Sequence, residues 1–142
     1  MPQAISAERI RSGSHGELWM DGELSAETYG FQAKITKNKE TVPRCGAFME
    51  GHKLISARIT GSMRIYNASS RFLAAEGAAM KNGKDLRHTF ISKLDDPDAV
   101  SVQRIMLTGV SFDDLTLADW EAAKLGTIEA PFTADGYEIL EY

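Results

Sequence analysis

The sequence predicts a mostly β fold: a small β-sandwich or barrel with one flanking α-helix and a long β-hairpin. Three observations carry this expectation. Apolar and polar residues alternate along most of the chain, one segment alone has a convincing helical period, and two alternating runs are longer than a small domain needs. A length of 142 residues argues for one domain, 1–142. A chain of that size buries roughly 70% of its unfolded surface and needs no disulfide or metal to hold it.

The elements follow in order. Residues 1–14 are polar and aperiodic, which predicts a flexible N-terminal arm. In GELWMDGEL, two short segments flank Asp21-Gly22, a strong hairpin signal because glycine accepts positive φ. Residues 28–42 alternate, with Tyr29, Phe31, Ala33 and Ile35 on one face and Thr28, Gln32, Lys34 and Thr36 on the other. Pro43, Gly46 and Gly51 break the pattern and mark a loop over 43–52. Alternation resumes in KLISARITGSMRIYN. Ile55, Ala57, Ile59, Gly61, Met63 and Ile65 share one face, and Ser56, Arg58, Thr60, Ser62 and Arg64 share the other. At ~3.3 Å per residue this strand is about 40 Å long.

The helix is expected over 69–82. Asn67 or Ser69 would cap it, Gly83 would stop it, and Phe72, Leu73, Ala75, Ala79 and Met80 would form its apolar stripe. LRHTFISKL and VSVQRIMLTGVSF read as strands around a turn at Asp95-Asp96-Pro97-Asp98, and KLGTIEAPFTADGYEIL supplies one or two more.

Composition narrows the function. The balance of 16 basic and 20 acidic residues, net −4, is not the basic footprint of a nucleic-acid binder. The single cysteine, Cys45, has no intrachain partner, and MPQAISAERIRSGSHGE has no apolar run, so a reducing cytoplasm is expected.

Candidate sites are few. Asp113, Asp114, Asp119 and Glu121 fall within SFDDLTLADWE, where paired acids could bind a metal or share a proton. The ligand spacing of a calcium loop is missing, and Thr116–Trp120 reads as a helical turn capped by Asp113 or Asp114. His15, His52 and His88 have no zinc spacing, and no GxSxG elbow or phosphate loop occurs. No catalytic, metal-binding or cofactor-binding residue is assigned. Besides a structural role, two readings stay open: a monomeric β-barrel carrier of a small ligand, and a hydrolase using Asp113, Asp114 and Asp119.

Four segments, in this order and spacing, carry a resemblance: SGSHGELWMDGEL, GHKLISARITGSMRIYNASSRF, ISKLDDPDAVSVQRI and FDDLTLADWEAAKLGTIEAPFTADGYEIL. The chain resembles the tail tube proteins of contractile phage tails and phage-tail-like bacteriocins, in particular the XkdM-like (PBSX-type) core tail proteins, over residues 12–140. The resemblance implies a structural subunit rather than an enzyme, with no cofactor. Six copies would form a ring, and rings would stack into a hollow tube that conducts DNA or breaches a target envelope. The partners implied are further copies, a tail sheath, a tape-measure protein, a baseplate hub and DNA in transient, non-specific passage, with no membrane insertion by the monomer. The implied location is a virion tail assembled in a bacterial cytoplasm. The hairpin would join a barrel shared by all copies. Gln32, Lys34, Thr36, Ser56, Arg58, Thr60, Ser62 and Arg64 would face the lumen. Tyr29, Phe31, Ile35, Ile55, Ile59, Met63 and Ile65 would pack on the subunit's own core. Phe48, Met49, Glu50, Gly51 and His52 would touch the next ring, and helix 69–82 with segment 113–121 would face the sheath. A net charge of −4 suits a bore that repels DNA; Lys34, Arg58 and Arg64 stand against that unless Glu27 and Glu40 offset them.

Overall fold

Asp21 and Gly22 both take positive φ (52° and 84°), and this tight turn joins Gly16–Met20 (β1) to Glu23–Leu24 (β2). The computed structural model describes residues 2–142, so Met1 of the expected arm lies outside the described residues. Six further strands follow: Thr28–Val42 (β3), Gly51–Tyr66 (β4), His88–Leu94 (β5), Gln103–Phe112 (β6), Thr127–Ala134 (β7) and Gly136–Glu141 (β8). All pairings are antiparallel, in the order β2-β1-β5-β6-β7-β4-β3, with β8 also on β6. The chain bends between β7 and β8, where the Asp135 N–H donates to the Thr108 carbonyl. That bend moves the chain from β4 to the earlier half of β6 and folds the sheet into two layers.

The core lies between the layers. It comprises Leu18, Ile59, Met63, Ile65, Phe90, Leu107, Val110, Ala130, Phe132 and Ala134. The Phe90 ring meets Phe132 edge-on at 5.4 Å and Phe112 at 5.8 Å, and Phe31 stacks on Phe132 at 5.6 Å. Each fully buried large side chain contributes roughly 2–3 kcal/mol of transfer free energy, and aromatic pairs add about 0.5–1.5 kcal/mol. Gly61 sits where β3, β4 and Phe132 converge. A Cβ there would lie 2.0 Å from the Gln32 carbonyl oxygen and 2.8 Å from the Phe132 ring, so only hydrogen fits.

The helix spans Arg71–Lys81 (α1), inside the expected 69–82. Ser69 Oγ accepts from the Arg71 N–H at 3.2 Å, and Gly83 beyond the helix end has φ 67°. The expected stripe is only partly used: Phe72 and Leu73 are half-buried, Met80 is exposed, and the one buried residue is Glu76. The expected helical turn at Thr116–Trp120 does not form. Asp113 is tied instead to β7: its carboxylate accepts from Thr133 Oγ1 (2.9 Å) and its N–H donates to the Pro131 carbonyl, which directs both away from residues 116–120.

At the N-terminal end, 3-10 turns occupy Ala7–Arg9 and Gly13–His15. Asp96, the buried acid of the Asp95–Asp98 turn, accepts from the backbone N–H groups of Ser12 and Asp98 at 2.8 and 3.0 Å. Those bonds hold its carboxyl below the usual range. They also tie the arm to the body at Ser12.

Candidate assembly site

The β3–β4 hairpin is longer than the body beneath it. β4 pairs with β7 only from Ile59 to Tyr66, so residues 51–58 have no partner on their outer side among the described residues. β3 ends the sheet, and among the described residues nothing pairs with its outer edge along its whole length. The distal half of the hairpin is thus a two-stranded ribbon with both edges open. An isolated two-stranded ribbon is marginal in water, and an open edge is a template for another strand. The connection at its end is shorter than the expected 43–52, because Gly51 and His52 already pair with Val42 and Thr41.

The eight residues expected on the polar face do share one face of the ribbon. Gln32 lies opposite Ser62, Lys34 opposite Thr60 and Thr36 opposite Arg58, with Ser56 and Arg64 continuing the row. Asn38 belongs to the same row and binds Ser56 Oγ at 2.9 Å. Arg64 lies flat across Gly30, where a Cβ would come within 2.4 Å of its Nε.

The other face departs from expectation. Ile59, Met63 and Ile65 are buried and Phe31 packs on the core. Ile35 and Ile55, however, are 43% and 62% exposed, because the hairpin has run past the end of the core. Tyr29 is not on this face. A bulge between Thr28 and Gly30 brings its ring to Tyr66, at 4.6 Å, on the polar side. At the tip, Phe48 (101% exposed) and Met49 (74%) touch no core residue, and Arg44 braces the turn by donating to the Met49 carbonyl. Glu50, Gly51 and His52 follow them, Glu50 just before β4 and Gly51 and His52 as its first two residues.

The acidic stretch does not converge on a site. Asp114, Asp119 and Glu121 are exposed and Glu121 pairs with Lys124 at 2.9 Å. Among the described residues no group of three or more His, Cys, Asp or Glu side chains is arranged to hold a metal ion, and no helix is long and apolar enough to cross a membrane. Cys45 is exposed at the hairpin turn. Between β3 and the β1–β5–β6 layer lies an open cleft of about 500 Å³ lined by apolar Leu18, Phe31 and Ile105 but also by Glu17, Arg64 and Lys93.

One cluster escaped the sequence. His88 Nδ1 binds Asp21 Oδ2 at 2.6 Å, and Nε2 binds Glu76 Oε1 at 2.6 Å. Asp21 also accepts from the Thr89 N–H. Burial works to lower the His88 pKa, but the hydrogen bonds and charges of Asp21 and Glu76 outweigh it and hold the imidazole above its ordinary value. Burial likewise pushes Asp21 up, and the bonds from His88 and Thr89 more than reverse it. The cluster pins α1 to the β1–β2 turn. A glutamate in line with Phe72 and Met80 on a helix was the one available signal.

Comparison with known proteins places this geometry. A family profile described as phage tail tube protein matches residues 3–141. The phage-like element PBSX protein XkdM of Bacillus subtilis strain 168 is 32% identical over 140 residues, covering 97% of this chain and 95% of that protein. The uncharacterised protein YqbM of the same strain is 33% identical over 141 residues, with the same coverage. A solved Bacillus subtilis protein, 32% identical, superposes with a TM-score of 0.56 over 95% of this chain and 98% of that one. A chain of the sheath–tube complex of the extracellular contractile injection system PVC, in its extended state, superposes with a TM-score of 0.69 at 10% identity, over 98% of this chain and 100% of that one.

Proposed function

The chain belongs to the phage tail tube protein family, and from that premise we propose that its unfinished hairpin is the element through which copies assemble into the tube. Six copies form a ring. Strands β3 and β4 of each copy enter a barrel shared by all six, and closing the ring removes the open edges. The row from Gln32 to Arg64 faces the lumen. Exposed Ile35 and Ile55 pack on the adjacent copy, and the tip bearing Phe48 and Met49 reaches the next ring.

The observation that carries this reading is the distal ribbon with both edges and both faces uncovered. A finished monomer would not leave so much strand and apolar surface without a partner. The same reasoning disfavours the small-ligand carrier, because the cleft beside β3 is open and charged rather than a closed apolar pocket. The role is structural and uses no catalytic residue. A sheath outside, a baseplate at one end, a tape-measure protein within and DNA in passage complete the proposed setting. The solved neighbours include a sheath–tube complex and a baseplate.

Electron microscopy of the purified, concentrated protein tests the proposal. Rings or tubes with a central hole are expected. A chain that stays monomeric at high concentration, and forms no ring on a tail baseplate, overturns it.

A further inference from the structure

Charge is segregated within this chain. Residues 28–66, the hairpin, carry seven of the 16 basic residues and two of the 20 acidic ones. The hairpin is therefore at +5 in a chain of net −4, and the remainder is at −9. Ion pairing follows the same division. Arg71, Arg87, Lys93, Arg104 and Lys124, all on the body, form salt bridges. Among the described residues none of the seven hairpin cations does.

Lys34, Arg58 and Arg64 lie on the polar face of the ribbon, and Lys53 joins them because a second bulge, between Asn38 and Lys39, sets it opposite Glu40. Glu40 opposite Lys53 and Glu129 opposite Arg64 share that face, and on the strands beyond β4 the carboxylates of Asp113 and Asp85 are held there by Thr133 Oγ1 and Ser111 Oγ; none of the four pairs with a hairpin cation. Lys34 and Arg58 form a diagonal cross-strand pair, each opposite a threonine rather than an acid. At ~3.3 Å per residue the cations run over about 35 Å of β4. The same face carries the Tyr29–Tyr66 ring pair, 48% and 46% exposed, next to Arg64. Guanidinium and ammonium groups meet phosphates, and exposed aromatic rings stack on bases. The acids of the body do not cancel this locally, because at about 0.1 M salt charges more than ~10 Å apart are largely screened.

We propose that the polar face of β3 and β4 is a sequence-independent DNA-binding surface, with Lys34, Arg58 and Arg64 on the phosphates of either a duplex or a single strand and Tyr29 and Tyr66 stacking on bases only where the DNA is single-stranded. Taken with the reading above, the tube would grip DNA along its bore rather than merely let it pass. The binding itself needs no ring, since the face is open in the single chain.

Fluorescence anisotropy of a short labelled DNA duplex with the unassembled full chain tests this. Three neutralised phosphates predict about a 40-fold loss of affinity between about 50 and 200 mM salt. The combined variant Lys34→Gln, Arg58→Gln, Arg64→Gln should lose binding at the lower salt. The variant Lys81→Gln, Lys84→Gln, Lys124→Gln removes the same charge from the body and should bind as the parent does. For a labelled single strand, Tyr66→Ser should weaken binding by about tenfold. Equal loss in both charge variants overturns the proposal, as does no binding, or binding of poly-L-glutamate as tight as that of DNA. Electron microscopy of the same preparations separates the two readings. Tubes without DNA binding overturn this inference alone, whereas DNA binding by a chain that never forms rings supports it and overturns the tube.

Discussion

Replacing His88 with leucine should destabilise the fold by about 3 kcal/mol, toward the lower end of what breaking a buried ion pair costs. The Glu76 side chain, 8% exposed, would lose its partner while staying buried. Asp21, at 52%, can turn to water and adds little. In a domain of this size that loss corresponds to a melting point lower by about 10 °C. Urea denaturation at about pH 6 would measure it. Adding Glu76→Leu should restore most of the loss, because a buried apolar pair replaces a buried ion pair at little cost. The pH dependence has a definite sign. The folded pKa of His88 is raised, so its contribution is complete below the unfolded value of about 6.5 and fades as pH rises through the folded value. Asp21, whose folded pKa is lowered, contributes above about pH 4 and loses that only as pH falls through its depressed value. The parent should therefore be less stable at about pH 9 than at pH 6, and the His88→Leu variant should lack that difference. A double variant no more stable than the single one, or a parent indifferent to pH over this range, refutes the account.

Three further outcomes follow from the geometry. Gly61→Val should cost about 2 kcal/mol or more, because its side chain must displace Phe132 and the β3 backbone; chemical denaturation reads it. Phe48→Asp should leave unfolding within about 0.5 kcal/mol of the parent, since the ring touches no core residue, yet should reduce tube yield counted by electron microscopy. Neutralising the edge cations with Lys37→Gln and Lys39→Gln should shorten the lag before light scattering rises in concentrated protein, as added salt should for the parent; an unchanged lag counts against a charge-guarded edge.

Strand identity was legible where alternation was long. The period-2 pattern of residues 28–66 placed the eight polar residues on one face, and the register bears this out pair by pair. Two things defeated the same rule. The bulge at Tyr29 adds a residue, and one residue is enough to turn a side chain to the opposite face. Periodicity also says which way a side chain points but not whether anything is there. Ile35 has the right parity for a core that ends before reaching it, and Ile55 is the extra residue of a second bulge opposite Asn38 and Lys39. The His88 cluster joins residues 12 and 67 positions apart, and no local pattern encodes such a meeting. Segment 113–121 read as a helical turn because Asp113 or Asp114 stands where a cap would, yet Asp113 is held on β7 by Thr133, 20 residues away.

The molecule divides its chemistry by place. Where the two layers overlap, aromatic rings interlock, acids are paired or hydrogen-bonded, and no buried side-chain nitrogen or oxygen among the described residues lacks a partner. Where the hairpin leaves that body, the rules of a finished protein are suspended together: edges unpaired, isoleucines in water, cations without counter-charges. Any one of these could be tolerated singly, since exposed apolar side chains and unpaired lysines are common on surfaces. Their coincidence on one ribbon has a common physical cause if a neighbouring copy supplies the missing strand, while the unpaired charge keeps free chains apart until it does. The body is then the part that folds alone, and the ribbon is the part whose fold is completed by association.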